Sequence, residues 1–490
     1  MSDETPGSAG PDETPGSAGP SEPAATPPPA AGPDPAASTP AASSGGGGGS
    51  GVSRKGFLQG AVGAGIGGLV VGGGIGYAIG NSGSSSSSSG GGGGGASTGG
   101  GGGESLKVGA AIPITGPFAG DGTQMLRGLQ MARDAINGAG GVAGRQIELV
   151  QLDTKAQEPD VMKTVMQNLV SQNVAAIFMP FCSYTSVEFP IIAAQKIPAF
   201  HVNTWHGNVD WVSQNNATNI FQGDPSELSY GSGIVSLINN LIDSGDFKPA
   251  SKTAYVVTSN DPYSLNIAKS FRSTIEGEGW KVQGFEQFTV PQANWGGTLV
   301  NIRKANPDVI VFSDYAAGDE AAFIKQFAQS PTKSLVYQQY APSIPQYLNL
   351  AGDAANGVLW STVVGILQND PIAQPFIDSF TQKFGEGPGF SNAGDQYDLM
   401  HIWAQAVGVA GDPYDFDKVN AYVKATPYRG VCGAYTFNRT GLTCIPYPDD
   451  TADPSIGMPH LTFQIQDGQQ KIISPTPYNT GKYQTPPWLQ

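Results

Sequence analysis

Residues 176–205 read AIFMPFCSYTSVEFPIIAAQKIPAFHVNTW. A short apolar run, Ala176 to Met179, stops at Pro180. A polar turn follows, Cys182 to Ser186, then an apolar stretch of helical length, Val187 to Gln195. A second short run, Ile197 to Val202, ends in Asn203-Thr204-Trp205. This is the order of one β-turn-α-β unit. In open parallel sheets the carboxyl ends of the strands face the ligand crevice. The first N–H groups of the Val187 helix would point into the same place, where they favour anionic or carbonyl groups. The same Ser and Thr residues would serve equally as a plain helix cap, so the unit alone fits either role.

The pattern repeats on both sides. Leu106 to Ile114 reads as a buried strand stopped by Thr115-Gly116-Pro117. Thr123 to Ala139 follows as a helix, with Met125, Leu129, Ala132 and Ile136 on one face. Ile147 to Leu152 is a strand and Pro159 to Gln172 a helix. Asn219 to Asp224 crosses to a second series. There, strands at Thr253 to Thr258, Lys281 to Phe288, Val309 to Phe312 and Ser334 to Gln338 alternate with helical segments. Gly357 to Val364 crosses back to helices at Pro371 to Phe384, Asn392 to Val409 and Phe416 to Thr426. Leu461 to Gln466 and Lys471 to Ile473, split by Asp467-Gly468, read as a closing hairpin. The alternation predicts an α/β fold of two doubly wound, parallel-sheet lobes. The predicted lobes are 105–222 with 362–434, and 223–361 with 435–490.

The first hundred residues have a different composition. Residues 1–52 are Pro, Ala, Gly, Ser and acid, with DETPGSAGP repeated at Asp3 and Asp12, and read as a disordered acidic tail. Ser53 to Gly80 places a basic pair, Arg54-Lys55, before an apolar Gly-rich stretch, the layout of an export signal or single-span tether. SRKGFL resembles a twin-arginine motif with Lys in the second position. Residues 81–104 are a Gly/Ser linker. The formal G-x-G-x-x-G at Gly63 to Gly68 has no strand before it and no acid about 20 positions on, so it does not read as a dinucleotide site.

The chain has 490 residues and a net charge of −15; beyond residue 103 it carries 23 Lys and Arg against 34 Asp and Glu. An acidic globular part without a basic run argues against nucleic acid as a partner. It is equally unsuited to an anionic membrane surface, which leaves the leader as the only expected membrane contact. Three cysteines and four scattered histidines give no zinc spacing, and neither a metal nor a cofactor is expected. Cys432 and Cys444 are twelve positions apart around a turn-rich stretch. In an exported protein they would form a local disulfide worth about 3 kcal/mol; otherwise they are two reduced thiols.

The predicted strand ends collect rings and neutral hydrogen-bonding groups: Phe118, Ser183, Tyr184 and Asn203 to Trp205 in the first lobe, then Tyr263, Tyr315 and Gln339-Tyr340 in the second. This is the lining of a small-molecule pocket. No G-x-S-x-G elbow, H-E-x-x-H or P-loop accompanies it. His201 and His206 flank Trp205, but as buried or rim histidines rather than as members of a triad.

Three stretches together, LKVGAAIPITGPFAGDG, RGLQMARDAINGAGGVAGRQIELVQLDT and the FCSYTS loop, resemble the type I periplasmic solute-binding proteins of the branched-chain amino acid and amide group. The resemblance covers about Ser105 to Gln490. It implies two lobes joined by a three-crossing hinge, a ligand held between them, and delivery to the permease subunits of an ATP-driven (ABC) importer by a monomeric, exported receptor. By position it places Ser183 on the ligand carboxylate. Asn203, Thr204 and Trp205 fall on the next ligand-contacting turn, and Tyr263 and Tyr315 on loops covering the ligand. Gln339 stands where amino-acid binders carry an acid for the ammonium group, so Asp121 or Asp314 would have to substitute, or the ligand is not an amino acid. Cys182 has no early partner, since Gln157 stands about there, and is expected as a free thiol in the pocket wall. Two other classes stay open. One is a sensor that reports the ligand to another protein; the other is an enzyme, which would need a base or nucleophile in the cleft.

Overall fold

Strand β1, Leu106–Ile112, is buried at every position but Lys107. A strand apolar on both faces belongs inside a parallel sheet covered by helices. In the computed structural model, which describes residues 105–181, 184–437 and 439–490, β1 lies between β2 (Ile147–Asp153) and β3 (Ile177–Phe178). β4 (Ala199–His201) and β5 (Ile220–Gln222) complete a parallel sheet of order β2-β1-β3-β4-β5. Helices α1 (Ala119–Gly138), α2 (Pro159–Ser171), α3 (Phe189–Gln195) and α4 (His206–Gln214) connect these strands. The tail, the leader, the linker, Cys182 and Ser183 lie outside the described residues.

After β5 the chain crosses to α5 (Leu228–Asp243) and the second lobe. There β6 (Thr253–Ser259), α6 (Pro262–Gly277), β7 (Lys281–Phe288), α7 (Gly296–Ala305), β8 (Val309–Ser313), α8 (Ala317–Ala328), β9 (Leu335–Gln339), α9 (Pro345–Ala351) and β10 (Leu359–Thr362) follow in order. Alternate residues of β6 and β8 enter two different cores. Val257, Ile310 and Phe312 pack on one face, and Val256, Val309 and Val311 on the other. That is the period-2 geometry of a strand buried on both sides.

β10 leads back to α10 (Ala373–Phe384), α11 (Asn392–Ala410) and α12 (Phe416–Ala425), whose Phe380, Trp403 and Val423 sit in the first lobe's core. Four short strands follow, β11 (Tyr428–Gly430), β12 (Gly433–Tyr435), β13 (Pro446–Tyr447) and β14 (Met458–Pro459). The chain closes with β15 (Leu461–Gln466) and β16 (Gln469–Ser474). This hairpin adds two antiparallel strands to the second sheet, of order β16-β15-β10-β9-β8-β6-β7. Its Asp467-Gly468 turn has positive φ at both residues, the hairpin geometry expected from the sequence.

Two expectations need correction. Tyr435, Phe437, Leu442, Cys444 and Met458 pack in the first core, so the third crossing runs through Pro459–Leu461 and not after residue 434. The stretch carries no long apolar period. Tertiary bonds hold it instead: Thr443 Oγ1 donates to the Asp224 carbonyl at 2.8 Å, and the Gln222 amide donates to the Leu442 carbonyl at 2.9 Å. The proposed disulfide is also absent, since Cys432 and Cys444 are both buried free thiols. Cys432 is tied at the β11–β12 turn by its amide to Asp398, 2.9 Å, while Cys444 follows the Thr443 anchor to β5. Helices α4 and α9 were not anticipated. The Glu227 carboxylate accepts the His206 amide at 2.6 Å, supplying from the crossing the cap that Trp205 cannot give α4.

Candidate functional site

All the parallel strands point their carboxyl ends at the space between the lobes. A cavity of about 630 Å³ lies there, within the range of small-molecule sites. From the first lobe Phe118, Phe181, Tyr184, Asn203 and Thr204 line it; from the second, Tyr230, Tyr263, Tyr315 and Tyr340 do.

Both lobes meet across the cavity. Tyr340 Oη donates to Asp121 Oδ1 at 3.0 Å, and Asn392 Nδ2 donates to the same oxygen at 2.7 Å. Burial pushes the Asp121 carboxyl up to about 6, against the pull of those two bonds. Tyr184 Oη reaches Asp261 Oδ1 at 3.5 Å, and the rings of Phe118 and Tyr315 lie 6.1 Å apart. Tyr263 stands edge-on to both Tyr230 and Tyr340, at 6.3 and 6.4 Å.

Of the residues singled out in the sequence, Phe118, Tyr184, Asn203, Thr204, Tyr263 and Tyr315 come together on the cavity wall. Ser183 is outside the described residues. The Trp205 ring meets Tyr184 edge-on at 5.2 Å, and Tyr184 forms the wall. Gln339 is fully buried: Tyr337 Oη donates to its Oε1, and its Nε2 donates to Tyr263 Oη at 3.3 Å. It orients a wall residue and is not part of the wall. Asp314 is fully buried off the wall, its carboxyl pushed to about 7 by burial. His201 is a core residue whose ring burial drives down to about 3, and His206 sits at the rim beside Ser226.

Sequence reading missed the floor of the cavity. Asp224, two residues past the end of β5, and Ser391, Asn392 and Asp395, at the start of α11, all line it. The strand-end rule could have found Asp224. Nothing local marks Asp395, which comes from a helix far along the chain.

A Ser-His-Asp array is also present: His460 Nε2 lies 2.8 Å from Ser361 Oγ and Nδ1 lies 2.7 Å from Asp449 Oδ2. Ser361 is buried and shares its hydroxyl with Tyr337 at 2.7 Å, while its neighbour Thr362 faces the cavity. Alternation along β10 turns the serine away from any solute. The array ties two crossing segments together.

A family profile, that of the periplasmic binding proteins, matches residues 105–443. The chain belongs to the periplasmic binding protein family. As such it is a solute-binding receptor, on the type I fold. The Leucine-, isoleucine-, valine-, threonine-, and alanine-binding protein of Pseudomonas aeruginosa is 24% identical over 341 residues, 69% of this chain and 87% of that protein. A structure from Silicibacter pomeroyi, assigned to a branched-chain amino acid ABC transporter, is 32% identical with a TM-score of 0.75, covering 79% of this chain and all of that one. A branched-chain amino acid transporter substrate-binding protein from Streptococcus pneumoniae, solved with isoleucine, shares the fold at 21% identity and a TM-score of 0.60, covering 75% of this chain and 98% of that one.

Proposed function

We propose that this receptor works outside the cytoplasm, capturing a small polar or aromatic molecule and delivering it as a monomer to the permease subunits of an ABC importer. The observation that carries the reading is the cavity between the lobes, walled by tyrosines of one and polar strand ends of the other. A ligand there touches both lobes at once. It therefore favours the closed arrangement by its differential affinity for it, and closure is the signal a permease can read. The Tyr340–Asp121 bond and the Phe118–Tyr315 contact hold the two lobes together around the ligand. Residues 53–80 would serve as the export signal, or as the tether where they are retained. Thr362 and not Ser361 faces the ligand, so the site has the parts for binding and release rather than turnover.

The test is small-angle scattering combined with thermal unfolding of the full chain, against aliphatic amino acids, amides, amines and aromatic acids. A cognate solute contracts the particle, and at about a hundred times its Kd adds about 2.7 kcal/mol of stability. If every class leaves both readouts unchanged, the receptor reading fails.

A further inference from the structure

Asp121 belongs to the first lobe, in the opening turn of α1, yet its carboxylate is met by a residue of the second. Tyr340, in the turn after β9, donates its hydroxyl to Asp121 Oδ1 at 3.0 Å. Asn392, at the start of α11 and so on the first lobe, donates to the same oxygen at 2.7 Å. The Asn392 bond lies within one lobe and survives if the lobes part; the Tyr340 bond does not. Tyr340 makes its bond at φ 76°, a backbone conformation that costs a non-glycine residue energy and that its surroundings must enforce.

The same contact covers the carboxyl. Asp121 is 9% exposed with Tyr340 in place, and it lines the cavity between the lobes. Parting the lobes removes the phenol and opens that side to water. A carboxylate that loses water and gains no cation is driven toward its neutral form. Its neighbours supply no cation. Tyr340 and Tyr263 of the second lobe, Asn392 and Asp395 of α11 and Glu158 ahead of α2 line the same cavity, and no Lys, Arg or His is among its described lining residues. Arg127, farther along α1, is paired with Glu386. The two bonds that Asp121 accepts favour its charge, but burial prevails and holds the carboxyl at about 6. Both donors fall on Oδ1, so a proton on Oδ2 leaves the two bonds in place. Protonation therefore removes the cost of burying the charge and keeps the lobes joined.

We propose that the Tyr340–Asp121 contact is a proton-linked latch: closing the cleft buries the Asp121 carboxyl, which takes up a proton, and opening returns that proton to water. This assignment rests on the receptor reading and adds a control to it. In an open cleft the carboxyl returns toward about 4. A group raised in the closed form favours closure at low pH, and that contribution is lost as pH rises through the closed value. The receptor thus closes more readily in acid surroundings and releases its solute more readily in neutral ones. The ratio of closed to open molecules should rise about tenfold from pH 7.5 to pH 5.

The test is a distance measurement by double electron–electron resonance on the full chain, first without solute. Spin labels are attached through p-acetylphenylalanine, which spares the native thiols, at Val300 on α7 and Val409 near the end of α11, exposed positions on the two lobes. The ratio of short to long distances should rise about tenfold between pH 7.5 and pH 5. In Asp121→Asn, whose amide oxygen can accept both bonds without a charge, it should change less than about twofold. In Tyr340→Phe the ratio should fall at both pH values. Should Asp121→Asn fail to fold, the unaltered chain and Tyr340→Phe decide. A ratio that does not rise with acid, one that rises equally in Asp121→Asn, or one unchanged in Tyr340→Phe overturns the latch. If leucine, acetamide, isopentylamine or benzoate shortens the distance while pH alone does not, the latch falls and the receptor reading stands. A distance fixed at every pH and with every one of these compounds overturns both.

Discussion

Gln339 and Tyr340 show how a one-residue difference changes a role. Gln339 points inward and spends both ends of its amide on Tyr337 and Tyr263. Tyr340 follows at φ 76° and ψ −55°, a backbone conformation that non-glycine residues rarely adopt. That conformation starts the turn after β9 and delivers the phenol across the cleft to Asp121. Strain of this kind persists where the surroundings enforce it, and it concentrates at functional sites. Replacing Gln339 by Glu therefore buries a charge and does not create an ammonium site. At pH 7 Gln339→Glu should cost about 1–3 kcal/mol. The loss should shrink toward pH 5, because the new carboxyl would have a raised pKa and its protonated form can take the amide's place. Urea unfolding at the two pH values checks this. Equal stability at both, with a gain in solute affinity, would show that residue 339 faces the solute after all.

At the scale of elements, helix α11 ties the first lobe to the floor of the site. It packs against α1 so closely that a Cβ on Gly128 would fall 2.1 Å from the Ala393 carbonyl oxygen. Only glycine allows that approach. Gly128→Ala must push the two backbones apart, at a cost of about 1–3 kcal/mol or more. Because Ala393 lies between Asn392 and Asp395, the shift should also weaken solute binding, with Kd rising alongside the loss of stability. A variant that loses neither, measured by urea unfolding and calorimetric titration, would show that α1 and α11 can separate freely. The hinge is an element of another kind. His460, Ser361, Tyr337, Gln339 and Tyr263 form one hydrogen-bonded chain running from the crossing segments to the cavity wall. The chain joins the cavity wall to the crossing segments.

For the whole molecule, buried carboxyls set the response to pH. Burial raises Asp121 to about 6, and Asp314 and Asp398 to about 7, above an unfolded value of about 4. A carboxyl raised in the fold binds its proton more tightly there than in the unfolded chain. Its contribution is therefore favourable at low pH and is lost as pH rises through the folded value. Asp153 and Asp308 are lowered by the hydrogen bonds they accept, and they act below about pH 4. The solute-free protein should accordingly lose thermal stability between about pH 4 and pH 7, by an amount on the order of a few kcal/mol. Scanning calorimetry across that range measures it, and a rising Tm would contradict the burial of neutral carboxyls.

What could be read from the sequence was what local chemistry encodes. Apolar runs of strand and helix length, broken at Gly and Pro, specified two doubly wound lobes. The polar residues at predicted strand ends supplied Phe118, Tyr184, Asn203, Thr204, Tyr263 and Tyr315 for the wall. Tertiary structure decided the rest. Residues 435–458 have no long period to reveal which core they join, and their place is set by bonds to Asp224, Gln222 and Asp395. Whether residue 339 or 340 faces the cleft depends on one backbone dihedral. The floor of the site pairs Asp224 with Asp395, brought together only when α11 returns from the second lobe to cover the first sheet. Periodicity is a property of neighbours in the chain. A shared cavity wall is a property of neighbours in space.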